Sequence, residues 1–200
     1  MNPAPRTAVV VRETKETKVK VEIDLDGTGK VEASSGIPFF DHMLAQLGRH
    51  SCFDLAVEAA GDLDVDAHHT VEDAGLALGE ALARALGDKA GIARFASVQV
   101  PLDEALVEVA LDISGRPYSS FRIAFPLDMP PLGDPPFQPQ LAEEFVRAFA
   151  TAGMFTVHIR AVDWVNPHHV IEAAFKGLAL CLRLATRPVG GGVPSTKGVL

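Results

Sequence analysis

The sequence predicts an α+β fold that is internally duplicated, with two similar halves that each pack helices against a mixed β-sheet. The main indication is an echo at a spacing of 100 residues, because the pentad HHTVE starts at His68 and the pentad HHVIE starts at His168. Each pentad follows a strand-like stretch and continues into a run rich in alanine and leucine, which is typical of a helix. We expect one compact domain whose halves comprise residues 1–95 and 96–200.

Alternation of apolar and polar residues with a period of two predicts the strands of the first half. The stretches concerned are residues 7–25 (a strand pair), 30–33 and 53–65 (strand, turn, strand). Asp41 is expected to cap a short helix that carries His42. The HHTVE pentad opens a long helix that we expect to end at Gly87.

The second half repeats this order and adds an irregular segment. Strands are predicted within residues 97–125 and at 155–163, and helices at 141–153 and from the HHVIE pentad onward. Residues 126–140 contain six prolines and are expected to form an irregular loop. The glycine-rich tail GGGVPSTKGVL is expected to be a mobile arm unless it folds over another part of the chain.

Composition narrows the class of function. The net charge of −8 argues against a general binder of nucleic acid or acidic membranes, although a few placed cations can still hold a small phosphorylated substrate. The N-terminal residues lack the pattern of a secretory signal, and no apolar run is long enough to span a membrane. The cysteines, Cys52 and Cys181, do not suggest a disulfide framework. We therefore expect a soluble, cytoplasmic protein without nucleic-acid or membrane partners.

The two pentads predict metal binding. On a helix, His68 and His69 lie four and three residues before Glu72, so either imidazole can approach the carboxylate. Adjacent residues diverge by about 100° around the helix axis, so the two histidines of a pentad are expected to face different ions. The same holds for His168, His169 and Glu172. Mixed imidazole and carboxylate ligands favour Mn or Fe over Zn.

Several motifs together resemble one enzyme family over essentially the whole chain. The motifs FFDHML, GDLDVDAHHTVEDAGLALGEAL, PLDEAL, LDISGRPY, HHVIEAAFK and VPSTKGVL are similar to those of imidazoleglycerol-phosphate dehydratase. The resemblance implies a duplicated fold of the ribosomal protein S5 domain 2-like class. It also implies a hydro-lyase of histidine biosynthesis that converts D-erythro-imidazole glycerol phosphate to imidazole acetol phosphate and water. Finally, it implies two Mn²⁺ ions per active site, at subunit interfaces of a 24-subunit homo-oligomer.

Residue roles follow from the resemblance at matching positions. The implied metal ligands are His42, His68, His69, Glu72, His168, His169 and Glu172. The implied phosphate-binding residues are Gln46, Arg94, Arg116, Ser195 and Lys197. Glu16 is the matching acidic residue near the substrate diol. For proton transfer, Glu172 or Glu16 can act with help from a histidine such as His69, and the sequence does not assign the base.

Two positions depart from the family pattern. The family has a histidine ligand where this chain has Glu144, which is also the internal echo of His42; we expect the carboxylate to ligate in its place. The family has an acidic residue where this chain has Ala67, so an orienting partner of the histidine pair is expected to be missing.

Two other functions would also use such histidine pairs. A non-catalytic, metal-linked shell would keep the histidine pairs but would not need Arg94, Arg116, Ser195 and Lys197. A dinuclear hydrolase would normally bridge its ions with a carboxylate, whereas these motifs are dominated by imidazole.

Overall fold

The computed structural model describes residues 5–200, and it divides into two sets of six elements. The first set is β1 (Thr7–Glu13), β2 (Thr17–Asp24), β3 (Val31–Ser34), α1 (Pro38–Ser51), β4 (Asp54–Gly61) and α2 (His68–Leu86). The second set is β5 (Phe95–Leu102), β6 (Ala105–Asp112), β7 (Tyr118–Arg122), α3 (Leu141–Gly153), β8 (Thr156–Asp163) and α4 (Pro167–Ala185). The predicted division between the halves falls one residue inside β5.

The two sheets have the same topology. The first has the strand order β1-β2-β4-β3 and the second has the order β5-β6-β8-β7. The two middle strands of each sheet pair antiparallel, β2 with β4 and β6 with β8. The last strand of each sheet pairs parallel to its neighbour, β3 with β4 and β7 with β8. The predicted α+β fold with two similar halves is therefore confirmed.

The helices lie between the two sheets and join the halves through one continuous core. Helix α2 packs on the first sheet and against α3, while α4 packs on the second sheet and against α1. Helices α2 and α3 approach closely at Gly79, where an added Cβ would lie 2.5 Å from the carbonyl oxygen of Phe149. None of the helices within residues 5–200 is long and apolar enough to cross a membrane.

Two local predictions were wrong. Asp41 does not cap α1, because the helix already begins at Pro38 and the Asp41 carboxylate instead accepts hydrogen bonds from the Ser35 backbone N–H and hydroxyl. Residues 63–65 form a turn rather than the second strand predicted within 53–65. The chain turns there because Asp66 already serves the start of α2, accepting a hydrogen bond from the backbone N–H of His68 at 2.7 Å.

The C-terminal arm folds over the junction between the halves. The arm was predicted to be mobile unless it folded over another part of the chain, and it does fold over the chain. The backbone N–H of Gly91 donates to the carbonyl of Gly192 at 3.0 Å, and the Arg94 guanidinium donates to the carbonyl of Pro194 at 2.7 Å. Leu200 reaches the turn before β7, where it lies against Gly115. The arm therefore brings Ser195 and Lys197 to the side of the molecule that carries Arg94 and Arg116.

Candidate metal centre

Two helices from different halves bring three ligand groups together. His42 lies on α1, while His168 and Glu172 lie one turn apart on α4. The Nε2 atoms of the two histidines lie 3.2 Å and 3.1 Å from the same oxygen, Oε2 of Glu172. Ligand atoms from these residues all lie within 4.8 Å of one another, so one ion can contact all three. We call this group the α1–α4 cluster.

Lys176 completes the α1–α4 cluster, and the sequence analysis did not single it out. Its Nζ lies 2.7 Å from Oε1 of Glu172, the carboxylate oxygen that the histidines leave free. Hydrogen bonds from Lys176 and His42 lower the pKa of Glu172 although partial burial opposes them. The carboxylate is thus kept as an anionic ligand. The spacing of four residues after Glu172 was the signal that could have identified this lysine.

The other pair of facing helices carries the equivalent residues. His68 and Glu72 lie on α2, and Glu144 lies on α3. The Nε2 atom of His68 is 3.8 Å from Oε2 of Glu72, while Oε1 of Glu72 accepts a hydrogen bond from Arg147 at 3.0 Å. The Arg147 guanidinium also binds Oε2 of Glu144 through Nε, at 3.1 Å, and through Nη2. We call His68, Glu72, Glu144 and Arg147 the α2–α3 cluster.

The second histidine of each pentad is held by carboxylates near the β-hairpin of its own half. The Nδ1 atom of His69 lies 3.0 Å from Asp62 and 3.8 Å from Glu16. The Nδ1 atom of His169 lies 2.8 Å from Glu104. His68 and His168 face Glu72 and Glu172 instead, as the divergence around the helix predicted.

These carboxylates perturb the pKa of the histidines they contact. The hydrogen bond with Asp62 raises the pKa of His69, and the hydrogen bond with Glu104 raises the pKa of His169. His169, together with backbone N–H groups of Asn166 and Val165, lowers the pKa of Glu104 to about 2. Neither Asp62 nor Glu104 was identified from the sequence. Glu104 stands in the β5–β6 turn, as Glu16 stands in the β1–β2 turn, so the duplication could have revealed it.

Ala67 is buried in the core next to the first histidine pair. With alanine at this position, the histidine pair was expected to lack an acidic partner that orients it. Two other aspartates supply such contacts, because Asp62 contacts the His69 ring and Asp66 accepts a hydrogen bond at the helix start. Asp62 therefore provides the orientation that the Ala67 position does not.

The residues predicted to bind phosphate are only partly gathered in one subunit. The Arg94 guanidinium donates to Asp112 through Nε and Nη2, at 2.7 Å and 3.2 Å, and to the arm through Nη1, which leaves two of its five N–H groups. Arg116 and Lys197 are exposed. Gln46 lies on α1, with its Nε2 3.5 Å from Nδ1 of His42. The arm thus contacts Arg94 and carries Lys197, while Gln46 lies beside His42 of the α1–α4 cluster.

Comparison with known proteins identifies the family. The family model described as imidazoleglycerol-phosphate dehydratase matches residues 35–182. Proteins of that name from Desulforudis audaxviator and Gluconacetobacter diazotrophicus are each 52% identical to this chain, and the alignments cover 98% of this chain and 98% of each relative. The chain belongs to the imidazoleglycerol-phosphate dehydratase family. It is thereby assigned to an enzyme family, and a dehydratase is a hydro-lyase.

Solved structures of imidazoleglycerol-phosphate dehydratases share the fold. The enzyme from Pyrococcus furiosus superposes with a TM-score of 0.81 at 38% identity, covering 96% of this chain and 100% of that one. The enzyme from Staphylococcus aureus superposes with a TM-score of 0.80 at 33% identity, covering 91% and 99%. The arrangement of two four-stranded sheets around the helices is therefore shared with these dehydratases.

The donor groups of this dehydratase-family chain fit divalent transition-metal ions. Two imidazoles and one carboxylate converge in the α1–α4 cluster, and this mixed nitrogen and oxygen set suits Mn, Fe, Co or Zn. The carboxylate is anionic and hydrogen-bonded on its other oxygen, as oriented metal ligands commonly are. The α2–α3 cluster offers one imidazole and two carboxylates, but Arg147 currently pairs both carboxylates.

Proposed function

We propose that this chain converts D-erythro-imidazole glycerol phosphate to imidazole acetol phosphate and water, a step of L-histidine biosynthesis. The observation that carries the proposal is the α1–α4 cluster and its counterpart on α2 and α3, in a chain that belongs to the dehydratase family over nearly its full length. An imidazole-binding enzyme needs electron-withdrawing contacts at the substrate ring, and repeated metal-ligating groups are suited to supply them.

Two Mn²⁺ ions per active site are the proposed cofactors. The α1–α4 cluster would hold one ion and the α2–α3 cluster the other, with His69 and His169 completing the ligand sets of ions on neighbouring subunits. Bound to the ring nitrogens, such ions would supply Lewis acidity that stabilises negative charge on the imidazole ring. Ligand sharing of this kind would put the sites between subunits of a closed homo-oligomer, for which the family resemblance implies 24 subunits.

The phosphate end of the substrate is proposed to bind at the arm. Lys197 and Arg116 are exposed cations, and Arg94 keeps two N–H donors beyond those given to Asp112 and Pro194. Guanidinium groups bind phosphate oxygens through paired hydrogen bonds, and Ser195 can add a hydroxyl donor. Gln46 adds an amide from α1. Closing the arm over the phosphate would exclude water from the adjacent reaction.

Glu16 is the better placed of the two candidate proton carriers. The reaction expels the hydroxyl of the carbon attached to the ring as water and removes the proton of the neighbouring carbon, whose own hydroxyl is left as an enol that becomes the ketone. Both oxygens of Glu172 are already occupied, by two histidines and by Lys176. The Glu16 carboxylate is more than half exposed and lies 3.8 Å from Nδ1 of His69.

The test is turnover of imidazole glycerol phosphate by metal-stripped protein, before and after Mn²⁺ is added. The ketone product is followed by absorbance, and the metal bound per chain is counted in the same sample. We expect negligible turnover without metal and restoration by Mn²⁺. Absence of turnover in assembled protein that holds two ions per chain would contradict the proposal and favour the non-catalytic shell.

A further inference from the structure

The duplication allows the two clusters to be compared residue by residue. His168 and Glu172 on α4 correspond to His68 and Glu72 on α2, and in both pairs the histidine faces Oε2 of the glutamate. In both, Oε1 of the glutamate is bound by a cation, Lys176 in one cluster and Arg147 in the other. The facing helix supplies the remaining group, which is His42 on α1 but Glu144 on α3.

This single difference changes the donor set. The α1–α4 cluster offers two imidazoles and one carboxylate, whereas the α2–α3 cluster offers one imidazole and two carboxylates. With neutral histidines, the charges of Glu172 and Lys176 cancel in the first cluster. In the second cluster, Glu72 and Glu144 together with Arg147 leave one net negative charge. Imidazole binds the later first-row metals more strongly than Mn²⁺, while carboxylate is a suitable ligand for Mn²⁺ and Mg²⁺.

The clusters also differ in how far their ligand groups are already arranged to bind an ion. The ligand atoms of His42, His168 and Glu172 already lie within 4.8 Å of one another. Glu144 is instead held by the Arg147 fork, which also binds Glu72. An ion in the α2–α3 cluster must therefore compete with a guanidinium for both carboxylates, at a cost that the α1–α4 cluster does not have.

We propose that the two metal sites of this chain are chemically different, with the α1–α4 site retaining nitrogen-preferring ions such as Co²⁺ and the α2–α3 site exchanging them for Mn²⁺. Glu144 sets the difference, and Arg147 holds the Glu144 carboxylate when no ion is bound. The inference rests on the proposed two-metal function, and it concerns which ion each site keeps rather than the reaction itself.

The experiment is metal exchange in the full-length protein. Protein loaded with Co²⁺ is dialysed against excess Mn²⁺, and both metals are counted per chain by mass spectrometry. We expect half of the cobalt to be replaced, leaving one Co²⁺ and one Mn²⁺ per chain. The variant Glu144→His should keep nearly all of its cobalt. The matched control Glu143→His alters the exposed neighbour on the same helix turn, and it should exchange as the unaltered protein does.

A reciprocal variant keeps the test decisive if Glu144→His does not fold. Replacing the other facing group, in His42→Glu, should make both sites carboxylate-rich and release nearly all of the cobalt. Exchange of both ions or of neither in the unaltered protein would overturn the inference, as would half exchange in Glu144→His. Turnover is recorded on the same protein after it is stripped and reloaded with Mn²⁺ alone: half exchange of cobalt with no turnover of the Mn²⁺ protein would contradict only the proposed function, and turnover with two equivalent ions would contradict only this inference.

Discussion

At the scale of single residues, His69 and His169 are each fixed by a carboxylate from another segment of the chain. The pentads and His42 were identified from residue type and spacing, because neighbours on one helix face are determined by the helix period. Asp62 and Glu104 come from loop and hairpin segments, and they meet His69 and His169 only once the sheets are formed. Glu144 was identified as the echo of His42, and its pairing with Arg147 is local to α3, whereas the bond from Arg147 to Glu72 depends on how α3 faces α2.

Asp54 offers a residue-scale prediction about pH. Its carboxylate accepts hydrogen bonds from the backbone N–H groups of Lys30 and Thr28, which lower its pKa from the usual 3.8. A carboxylate with a depressed pKa stabilises the folded state above its unfolded pKa, and this contribution is lost as the pH falls through the folded value. The variant Asp54→Asn should therefore unfold at a lower temperature than the unaltered protein at neutral pH.

The difference in unfolding temperature should shrink as the pH falls from about 5 to about 3, because the unaltered Asp54 becomes neutral as well. The measurement is thermal unfolding followed by fluorescence across that range. A difference that stays constant with pH would show that the carboxylate charge does not stabilise this turn.

At the scale of elements, periodicity predicted most of the strands and helices correctly. Alternation in residues 7–25 gave β1 and β2, and the alanine-rich runs gave α2 and α4, because the buried face of each element repeats at its own period. The second strand predicted within residues 53–65 was wrong because Asp62 turns to the His69 ring and Asp66, just after the segment, accepts a hydrogen bond at the helix start, so the chain between them forms a turn instead of a pleated surface. Alternation of apolar and polar residues alone does not distinguish a β-strand from a loop whose aspartates contact the next helix.

The packing of α2 against α3 gives a prediction at this scale. A Cβ at Gly79 would lie 2.5 Å from the carbonyl oxygen of Phe149 and 2.6 Å from the backbone N of Gly153, so the helices must separate to accept it. Gly79→Ala should lower the free energy of unfolding by roughly 1–3 kcal/mol, as measured by chemical denaturation. Gly192→Ala is the control, because nothing lies within 4 Å of its Cβ position. Equal stability of the two variants would contradict the close helix approach.

At the scale of the whole molecule, duplication places similar chemistry on two faces of one helical layer. Each cluster combines a helix from each half, since α1 packs on α4 and α2 packs on α3. Neither half alone could form a cluster, because each needs a helix from the other half. The histidines that turn toward the hairpins, His69 and His169, would complete the ligand sets of neighbouring copies in the proposed two-metal assembly. The proposed number of 24 copies rests on the family resemblance.

The most direct test of the central claim is a paired count of metal and turnover in His168→Ala, with His158→Ala as the matched control. His158 is exposed on β8 beside Tyr118 and outside both clusters. We predict that His168→Ala loses close to one ion per chain and at least about 100-fold in turnover, while His158→Ala keeps both ions and its rate. Full metal content and unchanged turnover in His168→Ala would contradict the account that the repeated histidine and glutamate clusters carry the reaction.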